Sequence, residues 1–295
     1  MKFDVIIGNP PYQINDGGAK ASAKPIYQIF VEQAKKLNPH FLSMIIPARW
    51  YGGGKGLDNF RHEMITDKRI RVLHDFLNST ECFGKAVEIK GGICYFLWDR
   101  DNLGKCKVYT HSGGNVTESS ERYLRENESD VFIRYNQGVS VYRKVCETGE
   151  TSFATLVSSQ KPFGLRTYVH GKRKLFNGSI RLYQNGGIGY IKRSVVTKNQ
   201  DWIDKYKIYI SAAYNAGDNY PHQILGKPIF GDKGTCCTET YVSIGPFKTK
   251  NETQNAISYI YTKFFRFLVM LKKTSQHAAA QVYSFVPIQD FSKPW

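Results

Sequence analysis

The chain has 295 residues, of which 41% are apolar and 22% charged, a size and balance that suit one large domain or two. No apolar run approaches the ~20 residues that span a bilayer, the longest candidate, Phe264 to Leu271, being interrupted by Arg266. The net charge of +16 is unevenly spread: residues 1–130 carry 18 Lys and Arg against 16 Asp and Glu, and residues 131–295 carry 23 against 9. A positive field concentrated in this way fits a polyanion partner.

Asp4 stands where a secretory signal would be basic, so no signal peptide is expected. Six cysteines lie at 82, 94, 106, 146, 236 and 237, with no Cys-x-x-Cys spacing. The expectation is free thiols, a cytoplasmic setting and no metal site.

The first predicted element is a short apolar strand, Phe3 to Ile7, ending in Gly8-Asn9-Pro10-Pro11-Tyr12. Two prolines remove two N–H donors and fix φ twice, so the ladder stops here. A stiff loop results at the carboxyl end of a strand, where open α/β sheets place their ligands. The Asn9 side chain and the Pro10 carbonyl are neighbouring acceptors, matched to the two hydrogens of a planar amine. Tyr12 adds a flat face for stacking. Together these residues describe a pocket for an exocyclic amine or an amide.

Ile14 to Lys24 is small and polar and reads as a loop able to close over a substrate. Pro25 opens a helix whose stripe runs Ile26, Ile29, Phe30, Ala34, Leu37. Phe41 to Ile46 is a second strand, followed by Gly52-Gly53-Gly54-Lys55-Gly56. That loop lacks the Ser or Thr of a nucleotide-binding P-loop, so it is read as space for a base or a DNA backbone. Leu57 to Thr66 reads as a helix, Ile70 to Phe76 as a strand, residues 88–98 as an interrupted strand or hairpin, and Lys105 to Tyr109 as another strand. This order is α/β with an antiparallel finish. Residues 116–135 read as a linker, which divides the chain into 1–115 and 136–295.

After the boundary, Gln137 to Glu147 reads as a helix, Leu182 to Ile191 as a hairpin, and Ile208 to Ala212 and Tyr241 to Ile244 as strands. Thr253 to Leu271 reads as one amphipathic helix. Lys161, Arg166, Lys172, Arg173, Lys174, Lys192, Arg193, Lys272 and Lys273 are the candidate DNA contacts.

Asn9-Pro10-Pro11-Tyr12 after a hydrophobic strand resembles the catalytic motif of amino-methyltransferases that use S-adenosyl-L-methionine. Lys263-Phe264-Phe265-Arg266-Phe267-Leu268, Gln276-His277 and Phe285-Val286-Pro287 are similar to the end of target-recognition regions in Eco57I-like restriction–modification methylases. The resemblance implies half of a doubly wound Rossmann-like sheet followed by a mixed α+β recognition domain. It also implies double-stranded DNA as the partner and N6 methylation of a flipped adenine, with Asn9, Pro10, Pro11 and Tyr12 catalytic and Phe83 on the other face of the base. Cytosine-N4, a protein glutamine, or recognition without catalysis remain alternatives. The glycine loop that holds the cofactor in such enzymes is not found in this sequence. The expectation is therefore a partial catalytic domain that needs a further half or a second subunit.

Overall fold

The computed structural model describes residues 3–14, 23–84, 89, 91–127, 129–214, 224–273 and 277–295, in two compact units, Met1–Lys144 and Val145–Trp295. Most of the loop expected between Ile14 and Lys24, most of the Gly/Asn/Tyr segment after Tyr214, and Gln276 lie outside the described residues.

The first unit is built on strands β1 (Val5–Gly8), β2 (Gln13–Ile14), β3 (Lys24–Pro25), β4 (Phe41–Pro47), β5 (Ile70–Phe76), β6 (Ile93–Asp99), β7 (Cys106–Ser112) and β8 (Asn115–Arg122). Its helices are α1 (Tyr27–Lys36), α2 (Asp58–Thr66), the short α3 (Thr80–Phe83) and α4 (Asn136–Glu147), which crosses the unit boundary. Six strands form one mixed sheet in the order β1-β4-β6-β5-β7-β8. The pairs β1–β4 and β5–β7 are parallel, and β6 and β8 run against their neighbours. This is the expected α/β arrangement with an antiparallel finish.

Alternation decides which face is covered. Leu42, Met44 and Ile46 of β4, Cys94, Phe96 and Trp98 of β6, and Leu73 of β5 point to one side and are buried. Against them α1 lays Tyr27, Val31 and Ala34, and α2 lays Phe60, Met64 and Ile65. Each buried Leu, Ile, Val, Phe or Met among them stabilises the unit by about 1.5–3 kcal/mol. Pro25 sits in the two-residue ladder with Gln13 rather than in the first turn of α1, which starts at Tyr27.

Residues 116–135 are not a linker. Asn115–Arg122 is strand β8, and Val131, Phe132 and Ile133 are buried. Two arginines hold the segment down. Arg134 donates from Nε and Nη2 to the fully buried Asp75 carboxylate at 2.6 and 2.7 Å, and from Nη1 to the Gly91 carbonyl at 2.7 Å. Arg122 donates to the Ile133 carbonyl at 2.6 Å and to Asn136 at 3.0 Å. The polar sequence reads as linker because its partners lie 59 residues away in Asp75, beyond any local window.

The second unit holds two three-stranded sheets. One is β10-β9-β13, from β9 (Ser179–Gln184), β10 (Gly187–Lys192) and β13 (Thr235–Cys237). The other is β12-β11-β14, from β11 (Tyr206–Ser211), β12 (Ile229–Gly231) and β14 (Tyr241–Phe247). The predicted helix over 253–271 is two helices, α5 (Lys250–Tyr261) and α6 (Lys263–Lys272). Thr262 breaks it by taking an extended conformation: its hydroxyl accepts from the Phe265 N–H that opens α6 and donates to the Tyr259 carbonyl that closes α5. All six cysteines are free thiols. No helix of the described residues is long and apolar enough to cross a membrane.

Arg134→Ala leaves the Asp75 carboxylate buried without its partner and should cost about 3–5 kcal/mol. Urea unfolding measures this, and adding Asp75→Asn should recover part of the loss.

Candidate catalytic loop and basic face

The loop Asn9–Tyr12 leaves β1 at the end of the sheet where β4 and β5 also finish and β6 begins. The turn Ala48–Gly52 after β4 and the segment carrying α3 after β5 therefore share that end with it. The loop is fixed on both sides. Gly8 lies against Met44 of β4, and a Cβ there would meet its Cε at 3.7 Å. The Tyr12 carbonyl accepts from the Ile26 N–H at 3.2 Å, and Gln13 and Ile14 pair with Pro25 and Lys24.

Asn9 is exposed and its side chain makes no hydrogen bond among the described residues. Pro10 is buried, and its carbonyl likewise accepts none there. The exposed Asn9 side chain is open to solvent, whereas a carbonyl without a protein partner on the buried Pro10 is the less common observation. Tyr12 is half-buried with its ring against the core and its hydroxyl unpaired. Burial, and then the nearby Cys82 and Cys94 thiols, push its pKa up to about 12, so the phenol is neutral at ordinary pH. Phe83, in α3 beside Cys82, is half-buried at the same end of the sheet, but its ring does not touch that of Tyr12.

The glycine loop after β4 is filled from within. A Cβ on Gly53 would collide with the Arg61 guanidinium, which donates to the Gly52 carbonyl at 2.8 Å and to Asp58 at 3.0 Å. Gly54 and Gly56 face open space.

The sheet face away from the core carries a cluster that sequence reading missed. His74 stacks between Tyr95 at 4.4 Å and Tyr109 at 4.6 Å, and His111 stacks on Phe76 at 4.1 Å. His74 Nδ1 lies 2.8 Å from His111 Nε2. Burial, and then His111, lower the His74 pKa to about 4, so the ring is neutral at pH 7. The residues come from three strands, and only the pairing β6-β5-β7 joins them.

β1 and β5 end in Gly8-Asn9-Pro10-Pro11 and Phe76-Leu77-Asn78-Ser79, without a glycine loop, while β4 leads through Gly52-Gly53-Gly54 into the nine-residue α2, with the Arg61 guanidinium packed against Gly53. No group of three or more metal-ligating side chains occurs among the described residues.

The predicted DNA contacts divide by availability. Lys172, Arg173, Lys174 and Lys192 are exposed. Lys161 is half-buried, Arg166 lies 3.7 Å from Glu239, and Arg193 pairs with Asp204 at 2.6 Å. Lys273 donates to the Tyr214 carbonyl at 3.5 Å. Lys272 is only 7% exposed and sits 4.9 Å over the Phe285 ring, so it is a packing residue and leaves the contact set. Lys207 adds charge but no surface: it is buried and donates to the carbonyls of Trp202, Ile203, Lys205 and Asp232 at 2.8–3.1 Å.

Residues 1–83 match the family model of the Eco57I restriction-modification methylase. A Mycoplasma pneumoniae (strain ATCC 29342 / M129 / Subtype 1) protein described as an uncharacterized adenine-specific methylase is 40% identical over 156 residues. That match covers 49% of this chain and 37% of the relative, so the chain spans well under half of the curated protein it resembles. Among solved structures, the type IIL restriction-modification enzyme MmeI in complex with DNA has a TM-score of 0.49 at 10% identity, over 95% of this chain and 45% of that one. A nuclease-deletion mutant of the type ISP enzyme LlaGI with a DNA substrate mimic has a TM-score of 0.47 at 10% identity, over 92% and 33%.

Tyr12→Phe removes a hydroxyl that has no partner and should leave stability at pH 8 unchanged or slightly raised. With a folded pKa near 12 against about 10 unfolded, the phenol favours folding below pH 10 and loses that contribution as pH rises towards 12. Alkaline unfolding curves should therefore be less steep for Tyr12→Phe than for the parent.

Proposed function

We propose that this chain carries the catalytic loop and the target-recognition region of an Eco57I-like adenine-specific DNA methyltransferase. The observation that supports this most is the pair of unpartnered acceptors, Asn9 and the Pro10 carbonyl, at the carboxyl end of β1 beside Tyr12. The family-model match over residues 1–83 and the adenine-specific methylase relative support the same reading.

In this reading the adenine leaves the duplex and enters the loop. Its N6 amine donates one hydrogen to Asn9 and one to Pro10. Both hydrogens being held draws the nitrogen towards tetrahedral geometry and frees its lone pair as the nucleophile. Pro10 and Pro11 keep the two acceptors in place, which is where the rate gain from orientation comes from. Tyr12, neutral and partly fixed in the core, offers its ring as one wall, and Phe83 is the candidate for the other. Residues of the second unit hold the duplex through exposed lysines and arginines.

The methyl donor is S-adenosyl-L-methionine, and its cradle is supplied from outside these strands. β1 is where that part attaches. It pairs with β4 on one side only, and its other edge is open, with Val5 51% and Ile7 79% exposed. An apolar open edge beside a parallel neighbour is a template for another strand. The cofactor-binding half, in the same polypeptide or a second one, adds there.

In the enzyme completed with that half, Asn9→Ala or Tyr12→Ala should lower methyl transfer to plasmid DNA at least about 100-fold with DNA affinity kept within a few-fold. Equal loss of DNA affinity would instead make the loop a binding element. For the chain alone, calorimetry should find no tight S-adenosyl-L-methionine binding.

A further inference from the structure

Residues 151–200 contain nine Lys and Arg and no Asp or Glu. Within this acid-free stretch lie the two most exposed large apolar side chains of the second unit, Tyr168 at 78% and Leu175 at 71%. A lone exposed apolar residue needs no explanation. Tyr168 differs in how firmly its backbone is held.

It sits in a turn closed by the Val169 N–H donating to the Arg166 carbonyl at 3.0 Å. The Thr167 N–H donates to the Glu239 carboxylate at 3.1 Å, and the Glu239 N–H donates to the Leu165 carbonyl at 2.9 Å. Leu165 is buried, and Val169 packs on the core of this unit. The ends of the turn are thus fixed and only its tip is free. The next residues are annealed to the edge of β10: Lys172 and Tyr190 exchange both backbone hydrogen bonds at 2.9 Å, and the Gly171 N–H donates to the Gln184 side chain at 2.7 Å. Gly171 is needed for this approach, since a Cβ there would meet the Tyr190 nitrogen at 2.5 Å. Lys172, Arg173 and Lys174 leave this support exposed, Lys172 with its ammonium 5.1 Å over the Phe176 ring, and no acid of the described residues pairs with them.

We propose that Tyr168 is a base-contacting residue: the turn Arg166–Val169 presents its ring to a groove of duplex DNA while Lys172, Arg173 and Lys174 hold the adjoining phosphates. This rests on the reading of the chain as part of a DNA methyltransferase and adds a division of labour within its recognition region. Positive charge captures any sequence, because every phosphate is alike. A flat, rigidly based phenol discriminates, because its stacking or wedging depends on the base step it meets. It also costs little conformational entropy to immobilise, having two side-chain torsions.

The test uses the full chain and a randomised duplex pool, with selection of bound sequences followed by affinity measurements against salt. The parent should enrich a preferred sequence. Tyr168→Ala should bind that sequence about 10-fold more weakly and lose preference at one or two positions, with affinity for other duplexes unchanged. Tyr168→Phe keeps the ring and should behave as the parent. The triple variant Lys172→Ala, Arg173→Ala, Lys174→Ala should weaken binding to every duplex and flatten the salt slope by about 2–3. The proposal is overturned if Tyr168→Ala keeps the parent's preferences, if it weakens all duplexes equally, or if the parent prefers single strands. A parent chain that binds no duplex even at about 50 mM salt sinks the DNA reading itself.

Discussion

A strand that runs into two consecutive prolines has to stop, and the loop that follows cannot relax. That constraint at Pro10 and Pro11 organises the end of the first unit where β1, β4 and β5 finish. Without N–H groups of their own, these residues cannot draw a neighbouring strand over the loop, and with φ fixed twice they cannot fold back to satisfy its acceptors locally. Asn9 and the Pro10 carbonyl are left as acceptors without a partner among the described residues. Tyr12 then returns the chain to the core, and its carbonyl ties the loop to Ile26 just before α1. Contacts on both flanks and the two proline rings hold the loop together.

Charge in the second part is less uniform than its sum suggests. Lys207 spends its ammonium on four backbone carbonyls in the interior, Lys272 packs on Phe285, and Arg193 is engaged by Asp204. Among the exposed cations that remain, Lys172, Arg173, Lys174 and Lys192 lie together on and beside the hairpin β9–β10. The net charge identifies the kind of partner, while burial and ion pairing identify which cations can meet it.

Local signals were legible where one element carries its own evidence. The helix α2, the strands β4 and β5 and the hairpin β9–β10 stand in the sequence within a few residues of where the structure has them; the helix α1 does too, but its buried face is Tyr27, Val31 and Ala34, while Ile29, Phe30 and Leu37 of the expected stripe are exposed. The Asn-Pro-Pro-Tyr loop is legible for the same reason, since its geometry is written in its own residues. What was not legible depends on partners far along the chain. β6 enters the sheet between β4 and β5 although it follows both in sequence. Residues 116–135 look like a linker because the buried carboxylate that receives Arg134 belongs to β5. The His74–His111 stack exists only once three strands are aligned. The helix over 253–271 failed for a local reason: apolar periodicity continues through Thr262, but its hydroxyl competes for the backbone and restarts the helix in a new direction.

β1 carries two opposed demands. In the proposed reading its loop has to hold acceptors to well within 1 Å for orientation to contribute to rate. Yet β1 is also the most weakly supported strand of its sheet, four residues long and paired on one side, with Ile7 the most exposed large apolar side chain of the described residues. Edge strands open with low free energy, and any opening of β1 displaces the loop attached to it. Precision at Asn9 is therefore coupled to whatever covers the free edge of β1. A part that brings the methyl donor by adding a strand there would, in the same contact, stiffen the base of the amine-binding loop. Cofactor supply and site assembly then become one event, and the exposed edge is the physical reason they cannot be separated.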